Sequence, residues 1–222
     1  MESNKKNANK SLACGGIFAV LFVIWIAIIK LVDVSAIGPE GTEVGLSGIN
    51  KAVHEALGLN MTLYKLTGIL GDVALVVAGL FALFGLVQLI KRKSLAKVDG
   101  AIYALAGLYV VTMAIYVVFE KVIINYRPVI MPGESAPEAS FPSSHTMLAC
   151  VIFGSAIVMI NKYIANETIR RILSVVAVVL LIVVVVGRLV SGVHWFTDIV
   201  GGILISVALV FTFLGIVNKL NA

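Results

Sequence analysis

Six long runs of apolar residues constrain what this chain can fold into. A helix that crosses a bilayer needs about 20 consecutive apolar residues. Charged residues make up only 13% of the 222-residue chain, against about 25% in soluble domains. The chain therefore has too few polar residues to coat a soluble globule. We predict an all-α integral membrane bundle of six transmembrane helices, at about 14–32, 66–90, 98–119, 145–161, 172–190 and 197–217.

Basic residues predict the orientation of these spans. Lysine and arginine are enriched on the cytoplasmic side of a membrane. Of the 17 present, 11 fall on one side of the predicted bundle: Lys5, Lys6 and Lys10; Lys91, Arg92, Lys93 and Lys97; Lys162, Arg170 and Arg171; and Lys219. We expect a multi-pass plasma-membrane protein with both termini in the cytoplasm. The alternative for the first span is a cleaved signal peptide that ends near Val34-Ser35-Ala36. The apolar run of this span is, however, longer than the apolar region of a signal peptide, which has about 7–15 residues.

The remaining segments predict a single membrane domain over residues 1–222. Residues 1–13 form a cytoplasmic tail, and residues 33–60 form an outer loop. The second half of that loop, SGINKAVHEALGL, has the apolar spacing of a helix lying on the membrane surface. The net charge of +5 does not indicate a nucleic-acid partner, because the basic residues cluster at membrane edges. Cys14 and Cys150 lie in apolar runs and indicate neither a disulfide nor a metal site.

Polar residues collect on the predicted outer face. The loops at 120–145 and 187–198 would both open to that side of the bilayer. Together they hold two histidines, two arginines and a carboxylate, a set suited to phosphate chemistry: Arg127, His145, Arg188, His194 and Asp198.

The spacing of these residues supports a phosphate site. His194 and Asp198 are four residues apart, so on a helix they share a face and can hydrogen-bond. A carboxylate beside a histidine fixes its tautomer, as a nucleophile or base requires. Arg188 lies six residues before His194, and Ser191-Gly192 offers a break that folds it back. The arginine fork suits phosphate oxygens.

The stretch FPSSHTMLAC, residues 141–150, predicts the start of a helix at an anion site. Ser143 or Ser144 can cap the fourth span, and backbone N–H groups at a helix start bind anions. His145 then lies in the first turn, beside a bound phosphate. Each feature alone also fits a structural hydrogen bond, a simple cap or an interface anchor. Their coincidence on one face favours the phosphate interpretation.

These residues resemble the type 2 phosphatidic acid phosphatase superfamily, whose pattern is Lys-x6-Arg-Pro, Pro-Ser-Gly-His and Ser-Arg-x5-His-x3-Asp. Arg127-Pro128 matches the first part, Pro142, Ser143 and His145 the second, and Arg188, His194 and Asp198 the third. Three differences stand out. Lys121 is one residue too close to Arg127, so that Glu120 occupies the family lysine's register, while Ser144 and Gly187 replace a glycine and a serine.

The resemblance implies a catalytic core at about 98–217, no cofactor and no metal, and a role for each residue. His194 attacks phosphorus and forms a phosphohistidine, and Asp198 orients it. His145 protonates the leaving oxygen and then activates water. Phosphate is bound by the following residues: Lys121, Arg127, Ser143, Ser144 and Arg188.

The sequence therefore predicts a membrane lipid phosphatase that hydrolyses a lipid phosphate or pyrophosphate monoester at the outer face. Phosphatidic acid, phosphatidylglycerophosphate and undecaprenyl pyrophosphate are its candidate substrates. Two alternatives stay open: a lipid-linked phosphotransferase of the same fold, and a catalytically degenerate membrane binding protein. Glycines such as Gly68, Gly71 and Gly201 suit helix contacts within one chain and between chains alike, so they leave the oligomeric state undefined.

Overall fold

Helices make up almost all of the chain. The computed structural model describes residues 2–220, and within that range the regular elements are helical, with β-pairing confined to two isolated bridges, Ser35–Val44 and Tyr126–Ala139. The fold class predicted from the sequence is therefore confirmed. The helices are α1 Glu2–Leu31, α2 Ser47–Leu57, α3 Met61–Arg92, α4 Gly100–Lys121, α5 Ser144–Tyr163, α6 Glu167–Val190 and α7 Phe196–Leu220.

Six of these helices, all except α2, are long and apolar enough to cross a membrane. Their outward-facing residues are large aliphatic side chains, for example Val23 at 64%, Val76 at 62% and Val110 at 69% exposure in the isolated chain. A bilayer would cover this apolar surface, whose exposure to water would be unfavourable. The protein is a multi-pass membrane protein with the six predicted spans.

The segment predicted as a tail, residues 1–13, is helical from Glu2 onward. Helix α1 begins at Glu2, because no proline or glycine interrupts the chain before Gly15. Ala8 is fully buried and lies against α7, where a Cβ at Gly215 would come 3.1 Å from the Ala8 carbonyl oxygen. The segment therefore extends the first helix, while Met1 lies outside the described residues.

The segment at 33–60 contains the helix that its apolar spacing predicts, α2. Its Asn50 is fully buried and donates from Nδ2 to Gly45 O at 2.8 Å and to Thr197 Oγ1 at 3.0 Å. The Asn50 Oδ1 atom also accepts from the Thr197 N–H at 3.2 Å. These bonds hold α2 against the start of α7. Asn60 then caps α3 by accepting the Leu63 N–H at 2.9 Å.

Helices α1 and α7 pack antiparallel along their length, and α5 lies at the centre of the bundle against α3, α6 and α7. Small residues permit the helices to approach their neighbours closely. A Cβ at Gly15 would clash with the Thr212 side chain, and one at Gly201 would clash with the Phe141 ring. The chain connections at residues 122–143 and 191–195 meet at one end of this bundle, which we call the motif end.

The opposite end is closed by a polar cluster around Asp99, between α3 and α4. Gln88 donates to Asp99 Oδ2 at 3.0 Å, Arg92 donates to Oδ1 at 2.9 Å, and the Tyr163 hydroxyl donates to Oδ2 at 2.9 Å. The hydrogen bond from Arg92 is the main reason that the pKa of Asp99 is lowered. This cluster fixes the α3–α4 connection far from the motif end.

Candidate active site

The start of α7 builds the centre of the site. Trp195 is the residue before the helix, and Asp198 lies in its first turn. Asp198 Oδ2 reaches back to accept the Trp195 N–H at 3.0 Å, which satisfies a backbone donor that the helix leaves unpaired. Asp198 is fully buried and His194 is 3% exposed. Their Oδ2 and Nδ1 atoms are 3.8 Å apart, so the carboxylate faces the ring without a short hydrogen bond.

The other ring nitrogen of His194 faces Arg127. Arg127 Nη1 lies 3.3 Å from His194 Nε2 and 3.4 Å from the Val193 carbonyl oxygen. Because a guanidinium only donates, the first contact is a hydrogen bond only when Nε2 carries the lone pair and Nδ1 carries the proton. The contacts on both sides of the ring therefore favour one tautomer, with the Nδ1–H toward Asp198.

Burial keeps this histidine neutral. Desolvation, together with the charges of Arg127 and Arg188 and partly offset by Asp198, lowers the pKa of His194 to about 4. At neutral pH the Nε2 lone pair is consequently present. A neutral imidazole beside two guanidinium groups is suited to attack on an anionic phosphorus centre.

Arg188 comes from the last turn of α6. The chain leaves that helix through Ser191 and Gly192, whose φ of +69° and contact with the Gly58 carbonyl oxygen require the absence of a Cβ. The Arg188 side chain is 1% exposed, and its guanidinium carbon lies 4.6 Å above the Tyr64 ring. Its Nε and Nη1 atoms are buried without a hydrogen-bond partner in the protein.

The start of α5 contributes Ser143, Ser144 and His145. Of the two predicted cap candidates, Ser143 occupies the N-cap position, but its buried Oγ makes no capping bond. Its N–H donates to Asp198 O at 3.1 Å. Ser144 lines the site cavity. His145 follows in the first turn with its Nδ1 unpartnered, and a Cβ at Gly71 of α3 would lie 3.2 Å from its ring.

A small cavity lies between the end of α4 and three of these residues, Arg127, Ser144 and His194. Tyr116, Phe119, Glu120, Arg127, Ser144 and His194 are among its lining residues. Lys121, the predicted phosphate ligand, is exposed at the end of α4 and does not line this cavity. Glu120 lines it instead, because one residue on a helix changes the direction of a side chain by about 100°.

The structure thus brings together Arg127, Ser143, Ser144, His145, Arg188, His194 and Asp198, and leaves Lys121 outside. It also adds residues that the sequence reasoning missed. Asn125 donates to Asp198 Oδ1 at 3.1 Å, and Glu138 lies 3.0 Å from Arg127 Nε. Tyr64 supports Arg188. Of these residues, only Asn125 could have been suspected from the sequence, because it is a lone amide in an apolar stretch beside a motif. Within residues 2–220, no three His, Cys, Asp or Glu side chains group as metal ligands.

The fold and the site define a class of protein: a helical membrane protein with histidines, arginines and a carboxylate converging at one end of its bundle. The profile of the PAP2 superfamily matches residues 101–222, which contain all of these motif residues. The chain belongs to this superfamily, and that membership supports a phosphatase activity in general.

A solved structure shows the same fold. The crystal structure of a transmembrane PAP2-type phosphatidylglycerolphosphate phosphatase from Bacillus subtilis is similar to this chain with a TM-score of 0.67. The match covers 93% of this chain and 96% of the other, at 19% sequence identity. Comparison of the sequence with curated proteins gives no significant match.

Proposed function

We propose that this protein is a membrane lipid phosphatase that removes a terminal phosphate from a lipid phosphate or pyrophosphate at the outer face of the membrane. The observation that carries the proposal is the meeting of Arg127, His145, Arg188 and His194 at one end of a transmembrane bundle, with Arg188 and His145 nitrogens unpartnered. An amphiphile can place its phosphate there while its hydrocarbon stays in the bilayer.

In the proposed mechanism, His194 Nε2 attacks phosphorus, and the bond from phosphorus to the leaving oxygen breaks. His145 gives that oxygen a proton, and a phosphohistidine remains. His145 then takes a proton from water, whose oxygen attacks the phosphohistidine and releases inorganic phosphate. Asp198 holds the Nδ1 side of His194 throughout and stabilises its charge.

Phosphate binding is proposed for Arg127, Arg188, Ser143 and the Ser144 amide. Positive groups and oriented donors offset the charge that develops during phosphoryl transfer. Lys121 belongs to this set on the family resemblance alone, since its side chain lies outside the cavity here.

The test is phosphate release from purified protein in detergent, without added metal. The panel contains phosphatidic acid, phosphatidylglycerophosphate and undecaprenyl pyrophosphate. The similarity to a phosphatidylglycerolphosphate phosphatase is the reason for including the second lipid. We expect release from at least one of them, and a loss of on the order of a hundredfold or more for His145→Ala and His194→Ala. Variants that release phosphate as fast as the wild type would contradict the mechanism.

A further inference from the structure

Asn125 connects three segments of the site: the loop that carries Arg127, the loop before α5 and the start of α7. It lies in the loop between α4 and Arg127 and is 1% exposed. Its carbonyl oxygen accepts both the Ser140 N–H at 3.0 Å and the Ser140 hydroxyl at 3.2 Å, ahead of α5. Its side-chain Nδ2 donates to Asp198 Oδ1 at 3.1 Å and approaches Thr197 Oγ1 at 3.3 Å, at the start of α7.

The orientation of the Asn125 amide follows from its partners. A carboxylate only accepts hydrogen bonds, so the NH2 group of Asn125 must face Asp198. The two carboxylate oxygens then have different donors: Asn125 on Oδ1 and the Trp195 N–H on Oδ2. These two bonds fix the rotation of the carboxylate and direct Oδ2 toward His194 Nδ1.

We propose that Asn125 is a positioning residue that holds the Asp198 carboxylate so that His194 keeps its proton on Nδ1 and its lone pair on Nε2. Asn125 does not line the cavity and acts through Asp198. The catalytic consequence rests on the function proposed above. The structural part, the tautomer of His194, does not depend on the substrate.

Asn125 is suited to this place because it donates without adding charge. The charged and titratable groups around the His194–Asp198 pair are Arg127 from the loop, His145 from α5 and Arg188 from α6. On the α2 side, His54 packs against Trp195 with ring centroids 5.5 Å apart. An aspartate at position 125 would place a second carboxylate beside Asp198, and such pairs share a proton.

The experiment compares Asn125→Ala and Asn125→Asp with the wild type, and uses Gln88→Ala as a matched control. Gln88 is also a buried amide that donates to an aspartate, at 3.0 Å from Asp99, but at the opposite end of the bundle. Both alanine variants remove one such bond. Only the Asn125 variants disturb the site.

The first readout is the ¹⁵N NMR spectrum of histidine-labelled protein in detergent. The chain has three histidines, and His54→Gln and His145→Gln assign their signals. We expect the Nδ1–H tautomer of His194 in the wild type and in Gln88→Ala, and a mixture of tautomers in Asn125→Ala.

The second readout is the kcat and KM of phosphate release from the best lipid of the panel. For Asn125→Ala we expect kcat to fall on the order of ten- to a hundredfold, with KM changed less than about twofold because Asn125 does not contact phosphate. In Asn125→Asp the new carboxylate cannot donate to Asp198, so we expect kcat to fall at least as far as in Asn125→Ala.

An unchanged His194 tautomer in Asn125→Ala overturns the proposal. So does a loss of activity in Asn125→Ala that is only in proportion to the unfolded fraction, as expected for Gln88→Ala. If the wild type releases no phosphate from any lipid while Asn125→Ala still changes the tautomer, the proposed function fails and the positioning role stands.

Discussion

His194 lies between a buried carboxylate, a buried arginine and a half-buried arginine, and further residues hold each of these neighbours. Asp198 is held by Asn125 and Trp195, while Arg127 lies 3.0 Å from Glu138 through its Nε. The ion pair leaves Arg127 Nη1 directed at both His194 and Val193. The chemistry of one ring is therefore set by contacts from three segments far apart in sequence.

The short motifs and their placement on one predicted face pointed to the histidines, the arginines and Asp198, because such motifs are contained in short stretches of sequence. The register of Lys121 and Glu120 was harder to predict. A helix end decides which of two neighbouring side chains enters a cavity, and the sequence does not define that end to within one residue. Here Glu120 lines the cavity and Lys121 does not.

A carboxylate that lines the cavity of the proposed phosphate site should affect the choice of substrate. Reversing the charge in Glu120→Lys should favour a pyrophosphate lipid over a monophosphate lipid, since the former carries about one more negative charge. At roughly 6 Å in a water-like dielectric each unit of charge contributes about 0.7 kcal/mol. The reversal therefore changes the ratio of the two kcat/KM values by about tenfold.

The matched control is Glu134→Lys, which makes the same charge change at an exposed residue outside the cavity. We expect its substrate ratio to stay within about twofold of the wild type, because solvent and salt screen an exposed charge outside the cavity. Equal effects of the two variants would mean that net charge, and not the cavity, sets the preference.

At the scale of helices, α3 supports the site although no motif lies on it. Its Gly68 and Gly71 leave room for Arg188 and His145, and its Tyr64 ring supports the Arg188 guanidinium. The sequence predicted that these glycines permit close packing, but not which helix they would meet. Such contacts depend on the order of helices around the bundle, which apolar periodicity does not encode.

We expect Tyr64→Ala to raise the KM for a lipid phosphate by about 3- to 30-fold, and Tyr64→Phe to change it less than about twofold. A cation–π contact contributes about 0.5–2 kcal/mol, and phenylalanine keeps the ring face. Tyr103→Ala is the control, because Tyr103 bonds Leu95 at the opposite end of the bundle. A Phe variant as impaired as the Ala variant would assign the effect to the hydroxyl group.

At the scale of the whole molecule, the six spans were predictable because bilayer thickness fixes the length of each apolar run. Their arrangement was not. The fourth span, α5, is the most buried, and the first and last spans pack together. The site forms because the starts of α5 and α7 and the end of α6 all lie at the motif end, as alternating spans require.

The proposed orientation places that end outside the cell, and cysteine labelling tests it. In a background with Cys14 and Cys150 replaced by alanine, Ser135→Cys puts a thiol in an exposed loop at the motif end, and Ala96→Cys puts one at the opposite end. A membrane-impermeant maleimide should label Ser135→Cys in intact cells and Ala96→Cys only after permeabilisation, since the Lys91–Lys97 cluster predicts a cytoplasmic loop. The reverse pattern would place the site in the cytoplasm. The substrate would then have to present its phosphate from the inner leaflet, while the geometry around His194 would be the same.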